Sequence, residues 1–282
     1  MGDVSAPELM EAAGARLSVW REAPSLHGLR TAALGAFACD DATAGADLLR
    51  EAVGRLRGEG FKAVLGPMNG DTWSAHRLVV ESDGRPPFLM EPSNPAHHAE
   101  AFEAASFEVI ARYASAERDA AEPRPAHPAP PTLRVRRFDM ARAEDELRRM
   151  HALSLERFAG NFLYRPIDPA AFLAMYRPVL PLLDPELVLL AEDDGGALQA
   201  FLFAMPDRLE GEAPRSVILK TYASRVRGGG ALLVDRFAGL ARDKGYRRVI
   251  HALFHENNLS ARRSEGAGGR VFRRYALWGL RL

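Results

Sequence analysis

Five prolines within residues 119–132, Pro123, Pro125, Pro128, Pro130 and Pro131, set the strongest constraint on what this chain can fold into. Each fixes φ and removes a backbone donor, so neither a helix interior nor a central strand can run through the segment. Set among alanines with little to pack, it reads as a semi-rigid linker in extended polyproline II form. A chain of 282 residues, 47% of them hydrophobic, is long enough for a core on each side. The expected organisation is a first domain over 1–118, a linker over 119–132 and a second domain over 133–282.

Charge and cysteine usage exclude several classes of protein. The 37 basic residues balance 37 acidic ones, so no overall field favours duplex nucleic acid or an anionic membrane. Arg134, Arg136 and Arg137 cluster, and a solvated face is the simplest account of them. Cys39 is the single cysteine, which rules out an internal disulfide, offers no cysteine-based metal site and fits a reducing compartment. With Phe37-Ala38 before it and Asp40-Asp41 after, it reads as a structural residue at a strand end. The start of the sequence lacks the basic and apolar regions of a signal peptide, and no run reaches about 18 apolar residues. The expectation is a cytoplasmic protein.

Upstream of the prolines, residues 30–39 read as a strand and 44–57 as a helix, with Leu48, Leu49, Val53 and Leu56 on one side and Thr43 as its N-cap. Residues 63–65 read as a second strand. Strand, helix and strand at this spacing predict a parallel pair with a right-handed crossover. A strand at 78–80, a helix at 99–105 and a strand at 107–113 come next. Between them lies Gly66-Pro67-Met68-Asn69-Gly70-Asp71-Thr72-Trp73, the richest polar stretch of this half. Asn69, Thr72 and Trp73 offer hydrogen bonds and an aromatic surface at a strand end, where ligands sit in α/β sheets. Equally, Asn69-Gly70 is a turn signal and Trp73 a packing residue. His97-His98 opens the helix at 99–105 without partners at metal-ligand spacing.

Downstream, residues 216–223 read as a strand and 231–244 as a helix with Leu232, Leu233, Phe237 and Leu240 apolar and Gly245 closing it. Between them stands Arg225-Val226-Arg227-Gly228-Gly229-Gly230. Three glycines let the backbone turn tightly and bring amide N–H groups at the helix start close to a phosphate, with the helix dipole and two arginines adding positive charge. A plain tight turn is the alternative. A strand at 248–254 comes after, then His255-Glu256-Asn257-Asn258-Leu259-Ser260 and a short helix to about residue 266.

The pattern R-x-x-G-x-G, filled by Arg225, Gly228 and Gly230, with a strand before it, a long helix after it and then a strand ending in Asn, resembles the acetyl-CoA pyrophosphate loop of the GNAT superfamily of N-acetyltransferases. Most of the chain resembles bacterial tandem-GNAT proteins that carry Gly-Pro-Met-Asn in the first lobe and Phe-Arg-Arg-Tyr at the end. The resemblance implies an α/β (α+β) fold of two GNAT-like lobes, each a mixed, mostly antiparallel twisted sheet flanked by helices. It implies acetyl-CoA or another acyl-CoA as co-substrate, held by Tyr222, Ala223, Arg225, Val226, Arg227, Gly228, Gly229 and Gly230, with Asn258 and Ser260 near the pantetheine arm and phosphoadenosine. The first lobe has Asp40, Asp41 and Asp47 where that loop would be. Carboxylates there repel a diphosphate, so only the second lobe is expected to bind CoA.

For chemistry the resemblance implies an amine that loses a proton and a thiolate that gains one. Candidate proton acceptors are His255 and Glu256, with His251 in the preceding strand. Strand alternation predicts His251 and Phe254 on opposite faces and His251 with His255 on one. Many GNAT enzymes carry a tyrosine in the helix after the Asn, but seven residues beyond Asn257 stands Ser264. Tyr275, in the closing strand 272–278, is the alternative proton donor, or a packing residue with a satisfied hydroxyl. Phe162 and Tyr164 lie where GNAT folds place the helix lining the acceptor site. With Asn69, Thr72 and Trp73 they are the expected substrate residues for a small amine or amino-acid-like acceptor between the lobes. No metal is expected, because His255-Glu256 is not followed by x-x-His.

Two other functions fit the same fold. Fem-type transferases, which use aminoacyl-tRNA, also pair two GNAT-like lobes, but neutral charge argues against tRNA. The missing tyrosine supports a ligand-binding protein that has lost the chemistry. Oligomeric state is not encoded in any of these features.

Overall fold

The computed structural model of the protein describes residues 6–122, 133–257 and 268–282. The first half contains β1 (Glu8–Ala12), β2 (Ala15–Trp20), β3 (Thr31–Cys39), α1 (Ala42–Gly58), β4 (Ala63–Gly66), β5 (Leu78–Ser82), α2 (Ala96–Ala104) and β6 (Glu108–Asp119). The second contains β7 (Arg134–Arg137), α3 (Ala143–Phe158), α4 (Pro169–Tyr176), β8 (Val188–Glu192), β9 (Leu198–Pro206), β10 (Ser216–Ser224), α5 (Gly229–Asp243), β11 (Arg248–His255) and β12 (Arg270–Arg281). The expected short helix ending near residue 266, and most of the proline segment, lie outside the described residues.

These elements pack as two compact units that do not follow the contiguous division at 118 and 133. The first comprises Met1–Ala114, Asn161–Arg165 and Arg273–Leu282, and the second Ser115–Gly160 and Pro166–Phe272. Tertiary packing, not the proline segment, decides where β12 belongs. Trp278 is fully buried in the first core beside Ala276 and stacks on Phe102 at 5.5 Å. Burying side chains of this size contributes roughly 1.5–3 kcal/mol each. In return, residues 115–119 of β6 belong to the second unit, where the Ala120 N–H then donates to the Arg247 carbonyl.

In the first unit β1, β2 and β3 are antiparallel neighbours, and β3 pairs with β4 in parallel, Thr31 opposite Ala63 to Ala33 opposite Leu65. The crossover is α1, which buries Leu48, Leu49, Ala52, Val53 and Leu56. Its cap is Asp41 rather than Thr43: the Asp41 carboxylate accepts from the Ala44 N–H at 2.9 Å. β12 is antiparallel to both β4 and β5.

The second unit runs β7, β8, β9 and β10 as antiparallel neighbours, then β10 and β11 in parallel across α5. Leu233, Val234, Phe237 and Ala241 form the buried stripe of α5; Leu232 and Leu240 are half-buried. Arg136, expected on a solvated face, donates to Glu146 at 2.7 Å and to Glu192 at 2.7 Å. Glu146 is only 2% exposed, so this cation compensates a buried charge that would otherwise be costly.

Candidate functional site

The parallel register of β10 and β11 runs from Ser216 opposite Arg248 to Leu219 opposite His251 and ends there. Both strands continue, to Ser224 and His255. At this point β10 carries an irregularity, for Leu219 faces Ala204 on β9 while Thr221 faces Phe203, leaving Lys220 between them. Such a bulge bends the strand and re-aims the residues beyond it. β11 is irregular too: Leu253 has φ 57°, and its N–H donates to Ser115 Oγ at 3.0 Å. The two parallel strands thus separate towards their C-terminal ends, the usual position for ligands in such sheets. The ring of Tyr222 from β10 lies 6.2 Å from that of His251 on β11.

The turn that leaves β10 is built by Ser224. Its hydroxyl donates to the Val226 carbonyl at 2.7 Å and accepts from the Val226 N–H at 3.1 Å. A Cβ on Gly229 would lie 2.5 Å from that same hydroxyl, so this glycine is required by the turn itself. Gly228, the cap of α5, sits at φ 86° in the left-handed region, which glycine enters without steric cost. It has no side chain to satisfy the amides of the first helical turn, and that turn contains no acidic residue. Arg227 is exposed beside it. The Gly229 N–H turns back to the Val226 carbonyl at 3.1 Å; the other first-turn amides, the positive end of a 15-residue helix and an adjacent cation are groups of the kind that suit an anion.

No family model matches the sequence, and no curated protein does. Solved structures do match in fold. A GCN5-related N-acetyltransferase from Sphaerobacter thermophilus superposes over 95% of this chain and 76% of its own with a TM-score of 0.58 at 16% identity. A tandem GNAT protein from the clavulanic acid biosynthesis pathway covers 95% and 78%, with a TM-score of 0.53 at 15% identity. A GCN5-related N-acetyltransferase from Anabaena variabilis covers 94% and 59%, with a TM-score of 0.56 at 10% identity. The chain has the GNAT fold.

Within that GNAT fold the expected site residues are distributed unevenly. Tyr222 and Ala223 lie near the end of β10, Arg225, Val226, Arg227 and Gly228 form the turn after it, and Gly229 and Gly230 start α5. Arg225, however, turns its charge elsewhere: its Nε donates to Glu156 Oε2 at 2.6 Å and a terminal nitrogen to the Leu198 carbonyl at 2.9 Å. It secures the turn through these contacts, and Arg227 is a second exposed cation of the loop. Asn258, Ser260 and Ser264 lie outside the described residues.

His255 ends β11 and Glu256 opens the turn after it, and both are half-buried. The Asn257 N–H donates to His255 Nδ1 at 3.1 Å, which leaves the ring proton of the neutral form on Nε2. The predicted strand alternation fails here. His251 and Phe254 pack ring to ring at 4.7 Å, because the left-handed Leu253 between them breaks the period of two.

Tyr275 and the five expected substrate residues all belong to the first unit. Tyr275 is fully buried, and its hydroxyl donates to the buried Glu91 carboxylate, so it is a packing residue with a satisfied hydroxyl. Asn69 Oδ1 accepts from the Ala36 N–H at 2.7 Å. Trp73 Nε1–H donates to the Arg165 carbonyl at 2.8 Å, and its ring meets Tyr164 edge-on at 6.1 Å. Phe162 is 37% exposed and Thr72 half-buried. Thus Trp73 and Tyr164 come together although 91 positions apart in the sequence (164 − 73), and the segment 161–165 leaves the lobe to which sequence order assigns it.

One cluster is missed by sequence reasoning altogether. Cys39, His97 and His98 bring one sulfur and two imidazole nitrogens within 4.8 Å of one another. Burial, then Asp41 and Asp40, push the Cys39 thiol up to about 11, consistent with the unreactive thiol expected. Only the adjacency of the two histidines hints at the grouping, since the cysteine lies on a different element.

Proposed function

We propose that this GNAT-fold chain is an acyl-CoA-dependent N-acyltransferase, transferring an acetyl or related acyl group to a small amine or amino-acid-like acceptor. One observation carries the reading: a glycine-capped helix start follows a bulged strand that has parted from its parallel neighbour. The first-turn amides of α5 with Arg227 suit a diphosphate, and the freed stretch of β10 at Tyr222 and Ala223 suits an extended pantetheine arm and its thioester. Glu256, in the turn after β11, is assigned as the proton acceptor for the amine, and Asn258 and Ser260 as further cofactor residues. Acetyltransferase names among the structural neighbours support the same reading.

Calorimetric titration of acetyl-CoA tests it. The wild type should bind at one site; Arg227→Ala should weaken binding about tenfold, about 1.4 kcal/mol. Ala231→Glu should abolish binding without harming the fold, because an acid in the first turn favours the helix yet repels a diphosphate. No heat with the wild type would sink the proposal. A second reading, a CoA-binding protein without turnover, draws on Arg225 being paired with Glu156 and on the lack of tyrosine between Tyr246 and Tyr275. Binding without acetylation across a panel of amines selects it. A Fem-like, tRNA-dependent activity is disfavoured by the zero net charge.

A further inference from the structure

The Cys39, His97 and His98 cluster lies in the first unit and plays no part in the acyl-transfer reading. It joins the end of β3 to the start of α2, and its members are buried, half-buried and buried in that order. His97 Nε2 lies 2.9 Å from the Cys39 carbonyl. That oxygen can only accept, so the ring proton sits on Nε2 and the Nδ1 lone pair is available. A ring N–H donated to a backbone carbonyl while the other nitrogen holds an ion is the usual arrangement of a metal-ligating histidine. His98 Nε2 accepts from the Cys39 N–H at 3.3 Å, a long and weak hydrogen bond. Placing an ion on that lone pair means giving up this weak hydrogen bond from the Cys39 N–H.

Around the thiol there is little slack. A Cβ at Gly45 would lie 2.7 Å from Cys39 Sγ, so the sulfur is held in place from the α1 side. The ring of His98 is braced edge-on by Phe37 at 5.4 Å. Asp40 and Asp41 follow the cysteine directly and are exposed, adding negative potential for a cation.

We propose that Cys39, His97 and His98 hold a divalent transition-metal ion, with Zn²⁺ the best match, through one thiolate sulfur and two imidazole nitrogens. Thiolate with imidazole is the ligand chemistry of Zn²⁺ and Co²⁺. Tetrahedral coordination needs the three ligand atoms roughly 3.5 Å apart; they now lie within 4.8 Å of one another, and with the sulfur held it is the imidazole rings that turn to close the difference. The metal–sulfur bond replaces the S–H bond, and one proton leaves for each ion bound. A water fills the fourth position.

Titration of the full chain with Co²⁺ tests the proposal by a signal that acyl transfer does not share. Because Cys39 is the single cysteine, a thiolate-to-cobalt charge-transfer band can arise from no other residue. The band should saturate at one ion per chain and disappear when Zn²⁺ is added in excess. It should be absent in Cys39→Ser and at least tenfold weaker in apparent affinity in His97→Ala and in His98→Gln. Far-UV circular dichroism checks that each variant folds, and His97→Ala, at a half-exposed position, is the variant least able to disturb the core. Absence of the band in the folded wild type overturns the proposal. So does a band undiminished in both histidine variants, which would leave the two rings as simple staples of β3 to α2.

Discussion

The β3–α1–β4 segment of the first unit and the β10–α5–β11 segment of the second share one plan, two parallel strands joined through a helix, yet they end differently. In the second, β10 and β11 part after Leu219 and His251. In the first, the parallel register stops at Ala33 and Leu65, and the chain after β4 returns to fill the gap. The Met68 N–H donates to the Leu34 carbonyl at 2.8 Å, and Asn69 Oδ1 takes the Ala36 N–H. The helix starts differ in the same sense. Asp41 caps the first turn of α1 with its own carboxylate, whereas Gly228 offers α5 no side-chain cap. Two local choices, a plug and a cap, therefore separate a closed copy from one suited to an anionic ligand, with the topology unchanged.

The plug depends on Gly35, and its substitution should have the largest effect. A Cβ there would lie 2.3 Å from Asn69 Oδ1 and 2.4 Å from the Met68 carbonyl oxygen. Gly35→Ala is expected to cost about 3 kcal/mol, since the Met68 carbonyl is backbone that cannot swing aside and moving Asn69 Oδ1 would break its hydrogen bond from Ala36. The comparator is Gly239→Ala in α5, where an added methyl meets nothing within 4 Å and should stabilise by roughly 0.5–1 kcal/mol. Trp20, Trp73 and Trp278, the three tryptophans, all belong to the first unit. Tryptophan fluorescence during denaturant unfolding therefore reads the plug's unit, and an unchanged fluorescence midpoint in Gly35→Ala would remove the plug from the comparison.

Acid separates the units by another route. Hydrogen bonding from Arg136, opposed by burial and reinforced by Arg149, lowers the Glu192 carboxyl from 4.5 to about 2. A carboxylate whose folded pKa is depressed stabilises the fold above its ordinary pKa, and that contribution is lost as pH falls through the folded value. The second unit should therefore keep this stabilisation down to about pH 4.5 and lose it progressively towards about pH 2. Glu192→Gln should flatten the dependence in circular-dichroism melts. If tryptophan fluorescence falls earlier in acid than the dichroism signal, the ordering of the two units is the reverse of that expected.

Much of this was legible locally. The strand, glycine loop and helix of the second unit are flanked by their own punctuation in Gly228, Gly229, Gly230 and Gly245, and α1 shows its apolar stripe plainly. The features that stayed hidden depend on long-range packing or on competing local chemistry. Helix α3 buries Glu146, His151 and Ser154 among its apolar residues, so its inward face does not look apolar. The place of β12 is decided by Trp278 finding Phe102, which no local pattern encodes. The Arg225 side chain follows Glu156, a partner on another helix. The face of His251 was misjudged because Leu253 adopts a conformation that a leucine sequence does not announce. Asp41 and Thr43 both qualify as helix caps by residue type, and only the hydrogen bond to Ala44 distinguishes them.

The smallest expected effect gives the finest division between cap and plug. Asp41→Ala removes the bond to the Ala44 N–H and should cost about 1 kcal/mol, while Asp41→Asn, which caps as well as aspartate, should be nearly neutral. Neither should create a second acetyl-CoA site, because Met68 and Asn69 still occupy the space between β3 and β4. Calorimetry of Asp41→Ala with acetyl-CoA thus asks which feature governs. A stoichiometry that stays at the wild-type value assigns closure of the first unit to the plug. A rise by one site per chain would show that a single carboxylate at a helix start was all that kept a diphosphate away.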